Sequence, residues 1–326
     1  VVWLRFLVLV LKVEFWFLGK KMPREVCTFR GSDQQKGLLM ERIINGMLFE
    51  GKRVADCYDV RTWTCNGVME RSARQVIEWT EAPIFPDLPY MDYKEPDPEK
   101  DADWLAEQKE KHLKQAASRA KTMCRRFIIT ERFDEMLTLT YRKNQPDRAL
   151  CKKHFSIWSK RMKRALGDFR YCASFEVQER GSMHVHIATH KLPVNADYKR
   201  VRIKAWQLGT KIWRDVVGDY GGLCFVGGKT KFGASGKRSM SLAKMAAYVS
   251  KYILKDYALS PEETNRYSRS NGQVGGEVHT MRLNASMPEI IATCFECNDG
   301  DVIVSHRVSY WSDSWWLCTE AGVNHV

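Results

Sequence analysis

Apolar and polar positions repeat with two different periods along this chain, and each period predicts an element. In MHVHIAT, residues 183–189, Val185 and Ile187 alternate with His184 and His186, so a strand here carries both imidazoles on one side and the aliphatic side chains on the other. The run before it, FRYCASFEVQ, is also β-prone, and ERGS between the two reads as a tight Gly-containing loop that closes a hairpin. With the turn centred on Gly181, Glu176 falls opposite His186 and Gln178 opposite His184. Glu176 then shares a face with both histidines, at the ~4.5–5.5 Å of direct cross-strand neighbours. A slip of one residue would turn Glu176 away and hand its role to Glu179 or Gln178.

Helical spacing governs the neighbouring segments. Across residues 149–166, Cys151, Phe155, Trp158, Met162, Ala165 and Leu166 recur at helical intervals, with lysines and arginines mostly on the other side. A second helix is expected over 200–217 and a third over 241–255, while RFIIT (126–130) and MLTLTYR (136–142) read as short strands. The order β-α-β-β-α-β-α predicts an α+β fold, a central antiparallel sheet flanked by helices.

Outside this body the pattern weakens. Residues 22–96 show no clear period and end in a Pro-rich stretch, EAPIFPDLPYMDYKEPDPEK, that reads as a linker. The following DADWLAEQKEKHLKQAASRAKTMCRRF is rich in helix formers of mixed charge and predicts a solvated helix. The chain is accordingly divided into 1–21, an upstream extension or extra strand; 22–120, an N-terminal region with linker and charged helix; 121–275, the catalytic body; and 276–326, a C-terminal region rich in aromatic residues and cysteine. Arg5, Lys12 and Glu14 interrupt the apolar start and leave only Phe6 to Leu11 unbroken, too short for a bilayer. No membrane anchor is expected, and ten cysteines without a secretory leader point to reduced thiols in a cytoplasm.

Charge sharpens the picture. Residues 121–275 hold 31 Lys and Arg against 13 Asp and Glu, whereas the rest of the chain holds 21 against 26. The +13 of the whole therefore conceals a strongly basic body, and a polyanionic partner would supply affinity through counterion release.

The candidate chemistry lies in that body. Two imidazoles and a carboxylate, His184, His186 and Glu176, make a three-ligand set with open positions, suited to a divalent cation that polarises a phosphoryl oxygen. In SLAKMAAYVSKYILKD, Leu242, Met245, Ala246, Val249 and Ile253 form the packed stripe of a helix. Tyr248 and Tyr252, at i and i+4, flank that stripe, with Lys244, Lys251 and Lys255 further round. A phenol of pKa about 10 becomes a nucleophile when cations favour its phenolate and a metal activates the phosphate, and both aids are present.

Three motifs in this order, MLTLTY (136–141), HVH (184–186) and YVSKYILK (248–255), resemble those of the HUH endonucleases, specifically the two-tyrosine rolling-circle replication initiators of small single-stranded DNA phages. FEVQERGSMHVHI is similar to the family's extended second motif, and RYSRSNG (266–272) to a segment that often follows its tyrosine helix. The resemblance covers about 126–275. It implies an antiparallel sheet whose metal-binding hairpin faces the tyrosine helix, with Mg²⁺ or Mn²⁺ on His184, His186 and Glu176. It also implies that Tyr248 or Tyr252 attacks a phosphate of single-stranded origin DNA, giving a 5′-phosphotyrosine and a free 3′-hydroxyl for a host polymerase. Two tyrosines allow a second cut at the regenerated origin and resealing of the circle. Lys251 or Lys255 would stabilise charge at the phosphate. Without a Walker A pattern in the chain, a helicase would come from the host.

Arg180 and the basic loop GGKTKFGASGKR, with Lys229, Lys231, Lys237 and Arg238, are expected to grip the DNA backbone. Cys294-x2-Cys297 with Cys57 and Cys65 offers a structural zinc site, although the wide spacing of the second pair favours plain thiols. SYWSDSWWLC reads as packing at the edge of a core, with base stacking as its alternative. Two rivals share the observations: a transposase or plasmid relaxase using the same chemistry, and a non-catalytic basic DNA-binding protein.

Overall fold

The computed structural model describes residues 40–44, 47–81, 102–227, 241–255, 265–298, 300–309 and 314–322. Of these, 40–44, 47–52 and 79–81 belong to a small compact unit and the remainder to a large one. In the small unit, strand β1 (Met40–Ile44) pairs antiparallel with Met47–Gly51 of strand β2 (Met47–Cys65).

β2 turns into β3 (Val68–Glu81) at Asn66-Gly67, both at positive φ (49° and 75°), the backbone that suits a two-residue hairpin turn. This Asn-Gly pair is the local signal in a region that otherwise shows no period. Next comes helix α1 (Ala102–Thr130), which absorbs the segment RFIIT predicted as a strand. Phe127, Ile128 and Ile129 are fully buried there, and adding residues to a helix already nucleated gains one hydrogen bond each. Burial on a continuing helix outweighs the modest preference of isoleucine for strands.

The body follows the expected order. Strand β4 (Glu135–Tyr141) leads to α2 (Arg148–Leu166), whose N-cap Asp147 accepts from the amides of Ala149 and Leu150 at 2.8 and 3.1 Å. β5 (Tyr171–Val177) and β6 (Met183–Thr189) form the hairpin. A small pair, β7 (Asn195–Tyr198) and β8 (Val201–Lys204), takes the first residues of the helix predicted over 200–217, and α3 begins at Ala205 and runs to Val217. β9 (Gly222–Val226), α4 (Leu242–Lys255) and β10 (Tyr267–Arg269) complete the unit. The strands lie in the order β10-β5-β6-β4-β9, every pair antiparallel, so β6 with its histidines is central. The α+β architecture is the one expected.

Strand alternation gives the sheet two different faces. Leu137, Leu139, Phe175, Val185 and Ile187 are buried with Phe155 and Trp158 of α2 and Ile212 and Trp213 of α3. On the other face Met136, Cys172 and Ala188 pack with Cys124, Phe127 and Ile128 of α1 and with Met245, Ala246, Val249 and Ile253 of α4. The stripe read from the sequence is therefore the buried side of α4.

Strand β11 (Glu277–Asn284), helix α5 (Met287–Glu296), β12 (Val302–Ser309) and β13 (Ser314–Glu320) close the described chain. β11 pairs with β2 and β13 with β3, giving the order β11-β2-β3-β13-β12. The two flanks of the sequence, 22–120 and 276–326, thus meet in one sheet, and α1 crosses the 120/121 boundary. Glu70 of β3, 2% exposed, joins that sheet to α1 by accepting from Arg125 and, at 3.0 Å, from Arg126. Paired on both oxygens, the buried carboxylate avoids the cost of an isolated charge. Among the described residues no helix is long and apolar enough to cross a membrane.

The thiols divide by burial. Burial pushes Cys151, Cys224 and Cys318 up to about 12, whereas Cys297 is exposed. In folded protein at about pH 8, iodoacetamide should label Cys297 and spare those three until denaturant is added, because only thiolate reacts. Peptide mass spectrometry that finds Cys151, Cys224 and Cys318 labelled as fast as Cys297 would contradict this packing.

Candidate active site

The hairpin sets the first part of the site. Its loop is Gln178–Ser182, with Gln178 N–H donating to the Ser182 carbonyl at 3.0 Å and Gly181 N–H to the Gln178 carbonyl at 2.8 Å. Gly181, at φ 82°, is the last residue of a three-residue loop and not the centre of the turn. This corrects the predicted register: Glu176 stands opposite His184 and Ser174 opposite His186. The shift amounts to two residues, an even number, so Glu176 keeps its face.

On that face, His186 is buried and held from three sides. Its Nε2 lies 2.8 Å from Glu176 Oε2, and its Nδ1 lies 3.4 Å from the Thr138 hydroxyl on β4. The ring stacks on Tyr252 at 4.3 Å between centroids and 12° between planes. Tyr248 meets the same imidazole edge-on at 5.7 Å, and the two phenol rings are 5.5 Å apart. The imidazole pair and the phenol pair, read from segments some sixty positions apart, occupy one cleft.

The tyrosine helix is anchored where it must be. Fully buried Ser174 donates its hydroxyl to the Val249 carbonyl at 2.6 Å, tying α4 to β5 one residue beyond Tyr248. At the last turn Lys255 Nζ donates to Glu176 Oε1 at 2.9 Å. Lys251 Nζ sits over both phenols, 4.3 Å from the Tyr248 centroid and 4.7 Å from that of Tyr252. The two lysines that the sequence left undistinguished therefore have different places, Lys251 at the phenols and Lys255 at the carboxylate.

Electrostatics follow from these contacts. Burial alone would raise the Glu176 carboxyl, but hydrogen bonds from His186 and Lys255 outweigh it and hold the group below its usual range. Burial, then the hydrogen bond to Tyr248 and the nearby Glu176 charge, push the Tyr252 phenol well above its ordinary value. Tyr252 is 6% exposed, whereas Tyr248 is only partly buried.

The donor set suits a hard divalent cation in its chemistry. His186 Nε2 and Glu176 Oε2, 2.8 Å apart, have the separation of neighbouring ligands around an ion bound at about 2.1 Å. The His184 ring lies 6.3 Å from that of His186, and among the described residues no three His, Cys, Asp or Glu side chains are gathered around one point. Glu176 gives its second oxygen to Lys255.

Arg180 stands at the exposed tip of the hairpin, with its guanidinium on the Tyr141 carbonyl at 2.9 Å and on Gln178 Oε1 at 3.1 Å. With Glu176, Gln178, Glu179 and Lys255 it lines a cavity of about 430 Å³ beside the site. Lys229, Lys231, Lys237 and Arg238 lie outside the described residues. Thr138 and Ser174 were not singled out in the sequence. Thr138 alternates with Leu137 and Leu139 and so shares the histidine face, a signal that period-two reading could have used. Ser174 is fixed only by the docking of α4.

Residues 134–257, from β4 past the tyrosine helix, match the family model of the replication-associated protein ORF2. The matched segment contains Glu176, His184, His186 and both tyrosines. It is similar to replication-associated proteins, which supports a part in DNA replication. No curated protein and no solved structure matches the chain.

Two outcomes test the anchoring. Ser174→Ala should cost about 1 kcal/mol in chemical denaturation, the net worth of one hydrogen bond. Glu176 has a lowered folded pKa, so its contribution is complete above the unfolded value and is lost as pH falls through the folded one. The Tm gap between wild type and Glu176→Gln should hold from pH 7 to about 5 and close below the ordinary carboxyl value of 4.5.

Proposed function

We propose that the protein is a replication initiator that nicks and rejoins single-stranded DNA at an origin through a 5′-phosphotyrosine intermediate, as the rolling-circle initiators of small single-stranded DNA phages do. The observation that carries this reading is the stacking of His186 on Tyr252, with Tyr248 and Glu176 against the same imidazole. The replication family matched by residues 134–257 supports it.

In the reaction a tyrosine oxygen forms a bond to the scissile phosphorus as the bond from phosphorus to the 3′-oxygen breaks. The phenol gives up its proton and the departing 3′-oxygen gains one. A second tyrosine, or the freed 3′-hydroxyl, reverses the exchange. Tyr248 is the better first nucleophile because it is partly open to solvent, while burial keeps Tyr252 protonated. Tyr252 then serves the second transfer, once a strand in the cleft has changed its surroundings. Lys251, over both rings, favours phenolate at either. Lys255 and His186 hold the Glu176 carboxylate, and Thr138 orients His186. Glu176, His184 and His186 would hold Mg²⁺ or Mn²⁺, which when bound polarises the phosphoryl group. The host supplies the polymerase that extends the 3′-hydroxyl, and the helicase.

Incubating the full chain with labelled single-stranded origin DNA and Mn²⁺ should yield a covalent adduct that mass spectrometry maps to Tyr248. Tyr248→Phe should reduce first-strand cleavage by roughly a hundredfold or more, whereas Tyr252→Phe should cleave and fail to complete joining. Chelation should abolish both. Activity of the double phenylalanine variant equal to wild type would sink this reading and favour a basic DNA-binding protein without catalysis.

A further inference from the structure

Behind the tyrosine helix lies a second groove of about 520 Å³ that the nicking chemistry does not use. Three periodicities converge to make it. On the flanking sheet, cross-strand pairing sets Ser72 beside Trp316 and Trp316 beside Arg307, while Arg74, two residues beyond Ser72, shares that face. Helix α1 contributes Ser118, Lys121, Thr122 and Arg125, spaced as one helical face. The floor is Ala247, Ser250 and Leu254 of α4, about 150° around the helix from Tyr248 and Tyr252.

The groove is cationic throughout. No carboxylate lines it, and among the described residues Arg74, Lys121 and Arg307 form no ion pair. Arg125 is already matched by Glu70 and lies over the half-buried Trp316 indole at 4.7 Å. Lys121 is pushed below its ordinary value, first by burial and then by the like charges of Arg125 and Arg307. Crowded like charges around a recess are relieved by an anion. The aromatic C-terminal strand and the charged helix, two stretches of sequence that the catalytic site leaves unused, find a common purpose here.

We propose that this groove binds a second stretch of single-stranded DNA by its sugar–phosphate backbone, with Arg74, Lys121 and Arg307 as its phosphate contacts. A narrow basic channel with an indole in its wall suits a single strand, whose phosphates and bases can both be reached. A strand held there lies on the opposite side of α4 from the phenols, so one protein would grip DNA at two places. The inference rests only on the nucleic-acid part of the proposed function, and binding measured without divalent cation separates it from strand cleavage.

The test is the salt dependence of binding of fluorescent oligothymidylate, about thirty residues long, to the full chain. Each phosphate contact on a single strand contributes about 0.7 to the slope of log K against log salt. The variant R74S/K121Q/R307S should therefore lose about 2 from that slope, and R74K/K121R/R307K should restore it. An unchanged slope in the first variant overturns the proposal, as does a slope that stays reduced in the charge-preserving one. Wild type that prefers blunt duplex of the same length over oligothymidylate overturns the single-strand assignment.

Discussion

One carboxylate sets the geometry of the candidate site. Glu176 gives one oxygen to His186, two strands' width from the sheet edge, and the other to Lys255 in the last turn of α4. A largely buried charge is costly unless both of its oxygens are satisfied, so the hairpin and the tyrosine helix are stable only in the arrangement that brings these three groups together. Ser174 adds a second tie earlier in the helix, and between the two ties stand Lys251 and Tyr252. The phenols are thereby held against the imidazole by contacts that involve no phenol.

The sheet makes this possible by keeping its two faces distinct. Aliphatic and aromatic side chains fill one face against α2 and α3, which leaves the other free to carry Thr138, Ser174, Glu176, His184 and His186 beneath α4. Because β6 is central and paired on both sides, the histidines sit on backbone that has no unpaired edge. Rigid placement of this kind is what a positioned nucleophile requires.

The flanking sheet depends on the same body through Glu70, whose two arginine partners are adjacent on α1. α1 in turn packs on α4, so the second groove and the tyrosine cleft share one helix as a common wall. The basic charge of the chain is thus organised around α4 on both sides.

Local periodicity by itself determined much of this. Alternation in MHVHIAT and FRYCASFEV placed Glu176 and both histidines on one face, and the stripe of Met245, Ala246, Val249 and Ile253 identified the buried side of α4, because such patterns depend only on the geometry of a strand or a helix. RFIIT shows where local preference fails: the pentapeptide is β-prone alone, but tertiary burial keeps it helical. The hairpin register, the separate places of Lys251 and Lys255, the role of Ser174 and the union of both flanks in one sheet were decided by the tertiary structure. Each depends on contacts between residues far apart in sequence, or on which carbonyl a turn can close upon, and no window of adjacent residues encodes those energies.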